Sequence, residues 1–245
     1  MDPLAPRVID LGLMCYPDAY VVQTQHVDEV LAARASGRPD AGRILLVEHP
    51  PVVTVSRRPG AARHLLADTA KLASLGVVVE PTDRGGDITY HGPGQLVVYP
   101  ILDLNALGLR MIEYLRLLEA CAMDVCARFG VPTRLVPGAT GVWVDRAESG
   151  ERGSSDAALG APQPAKIAAI GVRVKRWVSM HGMAMNVTTN LAHFELIVPC
   201  GLGNRSVTSL ESELGPACPT MSAVKQAVAD VLMKRTMAAR QNEAA

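Results

Sequence analysis

Residues 84–100 read RGGDITYHGPGQLVVYP, in which glycines enclose a short polar and aromatic segment. Gly85-Gly86 precede the predicted strand DITYH, and Gly92-Pro93-Gly94 separate it from the apolar strand QLVVYP. Glycine allows the backbone to approach a ligand closely and leaves N–H groups that can face it. Arg84 and His91 could then hold the polar end of a ligand. The alternative is a glycine-rich hairpin whose Arg84 and His91 contact only solvent.

Helices and short strands are predicted on both sides of this segment. The clearest helix is 110–129, where apolar residues recur every three or four positions. Further helices are expected at 18–35, 68–75 and 221–239. Strands are expected at 43–49, 52–56, 76–80, 133–136, 141–145, 166–178, 183–188 and 194–199, and the first two are expected to pair. Residues 147–165, rich in Ala, Gly, Ser and Pro, are expected to form a mobile surface loop. Since alternating βα units are missing, the pattern predicts an α+β fold or a mixed α/β sheet.

The composition excludes several classes of protein. The 24 Lys+Arg and 24 Asp+Glu residues balance, so general attraction to nucleic acid is not expected. No apolar run approaches the ~18 residues that cross a membrane, and the chain does not begin like a secretory signal. Five cysteines without a CxxC pair fit neither a disulfide framework nor a zinc site. The chain also has no GxxxxGK[ST], HExxH or GxSxG motif. We therefore expect a cytoplasmic protein with reduced thiols.

Two further residues are candidates for chemistry. Cys200 lies where an apolar segment ends and a glycine-flanked turn begins, so its thiol could meet a substrate. Lys166 begins an otherwise apolar strand. Taken singly, each has a plainer interpretation, as an inert cysteine and as an exposed lysine at a strand end. Cys121 and Cys126 lie beside the apolar stripe of helix 110–129 and are interpreted as core residues.

Four motifs in order resemble the octanoyltransferase family, also called lipoyl(octanoyl) transferases, which makes protein-bound lipoate. They are RGGDITYHGPGQ at 84–95 with Tyr99-Pro100, KIAAIG at 166–171, HGMAMNV at 181–187 and IVPCG at 197–201. The similarity covers roughly residues 40–215. The sequence departs from the family pattern in the long 147–165 segment and at Met183, where the family often has Leu or Phe.

The resemblance implies a single catalytic domain over 1–245 with the fold of lipoate- and biotin-protein ligases. That fold is a mixed sheet flanked by helices, with a small second sheet. The implied activity transfers an octanoyl group from acyl carrier protein to a lysine of apo lipoyl domains, on 2-oxoacid dehydrogenase E2 subunits and glycine-cleavage H protein. Neither ATP nor a metal is implied, and we expect a monomer.

The resemblance also implies roles for individual residues. Cys200 is expected to carry the acyl group as a thioester, and Lys166 to lower the pKa of Cys200 and relay a proton. The acyl chain is expected between the 84–91 segment and two strands. The implied substrate-binding residues are Arg84, Gly85, Gly86, Asp87, Ile88, Thr89, Tyr90, His91, Ala169, Ile170, Gly171, Gly182, Met183 and Ala184.

Three alternatives stay open on the sequence. An ATP-dependent lipoate- or biotin-protein ligase on the same fold would not require Cys200. A Cys–His hydrolase would use His181 or His193. A non-catalytic acyl-binding module would keep the fold without turnover.

If the donor is an acidic carrier protein, Arg57, Arg58 or Lys175-Arg176 could receive it.

Overall fold

The computed structural model describes residues 5–38, 40–146, 163–198 and 206–243. The α-helices within these ranges are α1 (Tyr16–Ala35), α2 (Thr69–Ser74), α3 (Met111–Arg128), α4 (Leu210–Leu214) and α5 (Met221–Glu243). The strands are β1 (Arg7–Leu13), β2 (Arg43–Glu48), β3 (Val52–Ser56), β4 (Val78–Thr82), β5 (Ile88–His91), β6 (Gln95–Ile101), β7 (Arg134–Val136), β8 (Ala139–Arg146), β9 (Gln163–Lys175) and β10 (Val178–Asn186). None of the helices in the described part of the chain is both long and apolar enough to cross a membrane.

The strands form two sheets. The larger has seven strands in the order β1-β2-β6-β10-β9-β8-β7, and the smaller has three in the order β4-β3-β5. Strands β1 and β2 pair in parallel, as do β3 and β4, and the other pairings are antiparallel. The expected mixed sheet with a small second sheet is therefore confirmed.

Helices cover both faces of the larger sheet because its strands alternate apolar side chains between the faces. On β6, Val98 packs in a cluster with residues of α3 and α5. Its neighbour Val97 packs in a second cluster with residues of α1. A third cluster holds the smaller sheet against the segment near Phe194. The smaller sheet therefore has a core of its own.

The expected pairing of 43–49 with 52–56 is wrong. Strand β2 pairs with β1 and β6, whereas β3 pairs with β4 and β5 in the other sheet. The connecting Pro50-Pro51 lacks N–H donors, so the chain leaves the first sheet instead of turning back along it. The His49 ring anchors this crossing, because its two nitrogens bond Met14 O and Tyr99 Oη, each at 2.7 Å.

Several other boundaries differ from the prediction, and the single strand expected at 166–178 crosses the turn between β9 and β10. Helix α1 begins at Tyr16 with Pro17 in its first turn, two residues before the expected Asp18. Residues 163–165 belong to β9, not to the expected loop, whose other residues, 147–162, lie outside the described chain. The expected strand 194–199 overlaps a 3₁₀ helix, Leu191–Leu196, because the Asn190 side chain accepts a hydrogen bond from Ala192 N. Phe194 and Leu196 are both buried, and their alternation imitates a strand.

Candidate functional site

A cavity of about 570 Å³ opens where the two sheets meet. Strand β5 of the smaller sheet and strands β6, β9 and β10 of the larger sheet contribute to its wall. The predicted site residues that line it are Arg84, Gly85, Gly86, Thr89, His91, Lys166, Ala169, Ile170, Gly171, Gly182, Met183 and Ala184. The fold therefore brings three separate sequence motifs to one cavity.

Three predicted residues of the 84–91 segment lie elsewhere. Ile88 and Tyr90 point from β5 into the core of the smaller sheet, whereas Thr89 and His91 alternate with them toward the cavity. The buried carboxylate of Asp87 lies 2.8 Å from His64 Nδ1 and 3.9 Å from an Arg58 nitrogen. Asp87, Ile88 and Tyr90 therefore support the cavity wall without lining the cavity.

The glycines allow backbone to pack on backbone at the cavity. Gly85 N donates to Val172 O at 2.9 Å, which places the 84–86 loop along β9. A Cβ on Gly171 would lie 2.7 Å from Gly85 O, and one on Gly182 would lie 2.2 Å from Val98 O. Side chains at these two positions would push the strands and the loop apart.

Arg84 is part of the wall and is not simply solvated. Its guanidinium donates to the backbone oxygen of Thr54 at 3.2 Å, to Thr54 Oγ1 at 3.1 Å and to Gly85 O at 3.1 Å. Arg84 therefore joins the glycine loop to β3 of the smaller sheet.

Lys166 lies at the cavity above an aromatic ring. Its Nζ is 4.6 Å from the centroid of the Trp143 ring, a distance typical of a cation–π contact. Trp143 pairs with Lys166 across β8 and β9, and only 1% of its surface is exposed. A Cβ on Gly141 would lie 3.3 Å from Lys166 Cε, so this glycine gives the lysine stem its room. Sequence reasoning did not identify Trp143 or Gly141.

Cys200 lies outside the described residues, which stop at Val198 and resume at Ser206. On one side, Val198 N donates to His64 O at 2.7 Å. On the other side, Lys166 N donates to Ser206 O at 2.9 Å. The chain therefore resumes after Cys200 directly beside the backbone of Lys166.

Aromatic and histidine side chains form the polar part of the cavity wall. Tyr16 and Tyr99 line it, with Tyr16 Oη 2.6 Å from Thr82 Oγ1 and Tyr99 Oη bonded to His49. Burial lowers the pKa of His49 to about 4. Burial, helped by the nearby His49, lowers the pKa of His91 to about 3. Both rings are therefore neutral at neutral pH. Tyr16 and His49 belong to no sequence motif, so only the fold identifies them.

A carboxylate next to Arg84 fixes another part of the wall. Asp83 accepts hydrogen bonds from His181 Nε2 at 2.9 Å, from Tyr20 Oη at 2.8 Å and from Arg173. Burial would raise the pKa of Asp83, but these hydrogen bonds and the charge of Arg173 outweigh it and lower the pKa. His181 is held there in the left-handed backbone region, at φ 58°.

The two histidines of the hydrolase alternative each form a side-chain hydrogen bond within the protein. His181 lines the cavity, but its Nε2 is bonded to Asp83. His193 bonds Tyr90 Oη through Nδ1 at 2.7 Å, and Tyr90 faces the core. His193 therefore does not line the cavity, whereas His181 lines it with its ring oriented by Asp83.

Two cysteines lie in the core, and the described residues form no metal site. Cys121 and Cys126 are buried in α3, and burial raises the pKa of each thiol to about 12, as expected of core residues. Within the described ranges, no three or more His, Cys, Asp or Glu side chains are grouped so that they could hold a metal ion.

The chain is similar to known proteins over most of its length. Residues 21–233 match the family model of the lipoyl protein ligase A/B catalytic domain. An octanoyltransferase of Bacteroides fragilis is 43% identical over 84% of this chain and 87% of its own. An octanoyltransferase of Acidobacterium capsulatum is 44% identical over 85% of this chain and 80% of its own.

Solved structures show the same fold. A chain from the lipoylation system of Thermoplasma acidophilum, a bipartite lipoate protein ligase and its E2 lipoyl domain, superposes with a TM-score of 0.64. The alignment covers 95% of this chain and 84% of that one at 14% identity. The expected ligase-like fold is thereby confirmed. The chain belongs to the octanoyltransferase family, whose catalytic domain is that of the lipoyl protein ligases A and B.

Proposed function

We propose that this protein transfers an octanoyl group from acyl carrier protein to a lysine of apo lipoyl domains, through a thioester on Cys200. The observation that carries the proposal is the meeting of the family motifs at one cavity with Lys166 in its wall. The acceptor domains are proposed to be those of 2-oxoacid dehydrogenase E2 subunits and of glycine-cleavage H protein.

The first step exchanges one thioester for another. The Cys200 thiolate attacks the carbonyl carbon of the donor, the donor C–S bond breaks, and the carrier leaves as a thiol after taking a proton from the Lys166 ammonium. Because the bond formed matches the bond broken, no ATP is required. The nucleophile must be a thiolate, and a free cysteine has a pKa near ~8.5. We propose that the Lys166 ammonium favours this thiolate.

The second step forms an amide. The acceptor lysine must lose a proton before its amine attacks the acyl-enzyme carbonyl, and the Cys200 sulfur then leaves. Lys166, neutral after the first step, is proposed to take that proton, which restores its ammonium beside the Cys200 thiolate. Cys200 and Lys166 would therefore titrate as a pair.

The cavity wall suits an aliphatic acyl chain. Val97, Met111, Leu115, Ile170 and Ala184 contribute apolar surface to it. At about 0.8 kcal/mol per buried CH₂, an eight-carbon chain would gain roughly 5 kcal/mol. A chain held this way also excludes water from the acyl-enzyme.

Product formation with two sets of substrates tests the proposal. Octanoyl-acyl carrier protein and an apo lipoyl domain should give the octanoylated domain without ATP. The control variant Cys15→Ser, in which an exposed thiol is removed, should be as active as the native chain. Product only from free octanoate with ATP would instead identify an adenylating ligase, and steady release of free octanoate a hydrolase. Tight acyl binding without any product would identify a binding module.

A further inference from the structure

A line of buried polar side chains runs from the cavity wall to the segment beside Lys166. His91 Nδ1 is 2.6 Å from Gln95 Oε1, and Gln95 Nε2 donates to Asn186 Oδ1 at 2.9 Å. Asn186 Nδ2 then donates to Thr208 O, also at 2.9 Å. The exposed fractions are 6% for His91, 2% for Gln95, 4% for Asn186 and 0% for Thr208. The line therefore lies in the interior.

Each group in this line has one consistent orientation. Gln95 Nε2 also donates to Tyr90 O at 3.3 Å, which directs Oε1 toward His91. His91 must then carry its proton on Nδ1, because a carbonyl oxygen only accepts. Asn186 accepts through Oδ1 and donates through Nδ2. Reversing either amide would bring two acceptors or two donors together in a buried site, which is costly.

The buried polar side chains end at residues 206–208, whose backbone is hydrogen-bonded to the backbone of Lys166. Lys166 N donates to Ser206 O, and Thr208 N donates to Lys166 O, both at 2.9 Å. Val207 between them forms a parallel bridge with Lys166. Asn186 adds a side-chain hydrogen bond to the carbonyl of Thr208. Residues 206–208 are thus fixed both to β9 and to the end of β10.

We propose that Gln95 and Asn186 are positioning residues for transfer, holding residues 206–208 against Lys166 so that its ammonium keeps its place at the cavity. This inference rests on the proposed function, in which Lys166 acts in the reaction. A fully satisfied buried network is rigid, and small displacements of a reacting group cost up to about 100-fold in rate. His91 links the same network to the cavity wall.

The test is Asn186→Leu, which has nearly the same shape but cannot donate to Thr208 O. Hydrogen exchange of the Lys166 and Thr208 amides should become faster than in the native chain. The kcat of octanoyl transfer should fall by about tenfold or more, while KM for octanoyl-acyl carrier protein stays within about twofold. Ser179→Ala is the matched control, because it removes a buried hydrogen bond to Pro100 O elsewhere on β10. It should leave both amides protected and kcat unchanged.

A second variant keeps the test decisive if Asn186→Leu does not fold. Gln95→Met keeps the length of the side chain but cannot donate to Asn186, so it should give the same pattern. Unchanged exchange at Lys166 and Thr208 in a folded variant would overturn the positioning role. Faster exchange with native kcat would overturn its link to transfer. If the native chain transfers no octanoyl group, the proposed function fails, whereas the exchange result still decides whether the network holds the segment.

Discussion

Lys166 is the residue on which the proposed chemistry can be tested most simply. Its ammonium rests over Trp143, and its backbone is bonded on both sides to residues 206–208. A charge held at a defined place can lower the pKa of a neighbouring thiol, whereas a freely moving lysine does so only weakly.

Lys166→Met should raise the pH midpoint at which Cys200 is alkylated, toward the ~8.5 of a free thiol. The methionine retains an apolar stem over Trp143 but removes the charge. The midpoint is measured by peptide mass spectrometry after pulse alkylation across pH. Lys175→Met is the control, because Lys175 pairs with Asp28 outside the cavity. A midpoint unmoved by Lys166→Met would show that the two groups are not paired.

His49 should make folding stability depend on pH. Its pKa of about 4 in the folded chain lies below the ~6.5 of an unfolded histidine. The unfolded chain therefore binds the proton first, so stability is complete above pH ~6.5 and declines as pH falls toward ~4. In urea unfolding, His49→Gln should reduce the slope of unfolding free energy against pH by ~1.4 kcal/mol per unit in that window. An equal slope in both proteins would mean that His49 is protonated in the folded chain.

At the scale of elements, β9 and β10 form a hairpin under local strain. Lys175 pairs with Val178, so the turn consists of Arg176 and Trp177, with φ of 50° and 66°. Non-glycine residues pay about 1–2 kcal/mol in this left-handed region, and Asn-Gly is preferred in such turns. The hairpin carries cavity residues on both strands.

Replacing Arg176-Trp177 by Asn-Gly should raise the free energy of unfolding by about 1 kcal/mol. The measurement is urea denaturation. Trp177→Ala alone removes the half-exposed ring but keeps a non-glycine residue at positive φ, so it should not stabilise. Destabilisation by Asn-Gly would show that the Trp177 ring contributes more than the turn strain costs.

The contact of the 84–86 loop with β9 should control acyl binding. Gly171→Ala places a Cβ against Gly85 O, and the overpacking should weaken binding of a non-hydrolysable octanoyl-pantetheine analogue by about tenfold or more. Calorimetry measures the affinity. Gly37→Ala adds a Cβ at a positive φ but meets no atom within 4 Å, so it tests backbone strain without overpacking and should bind normally. Native affinity in Gly171→Ala would mean that the loop and strand do not shape the acyl site.

The sequence predicted an element well where a regular spacing of apolar residues determines it. Helix α3 has an apolar stripe that repeats every turn, and the structure begins and ends it within a residue of the expected 110–129. Strand pairing was harder to predict than the strands themselves. The strands at 43–48 and 52–56 follow each other along the chain but belong to different sheets. Phe194 and Leu196 show the limit of alternation, since a 3₁₀ helix buries the same two side chains.

At the scale of the whole molecule, the site depends on how distant segments meet. The motifs at 84–91, 166–171 and 182–184 could be read along the chain, and the fold brings most of their residues to one cavity. Tyr16, His49 and Trp143 could not be found that way, because their roles arise from contacts between separate elements. Asp83 adjoins a motif, but its partners come from α1, β9 and β10.

The intact mass of the protein after mixing with octanoyl-acyl carrier protein tests the central claim most directly. The native chain should gain one octanoyl group that hydroxylamine removes and an apo lipoyl domain discharges. Cys200→Ser should gain none, whereas Cys218→Ser, with a half-buried thiol, should behave as the native chain does. No adduct on the native protein, or an equal adduct on Cys200→Ser, would contradict the proposed route through Cys200.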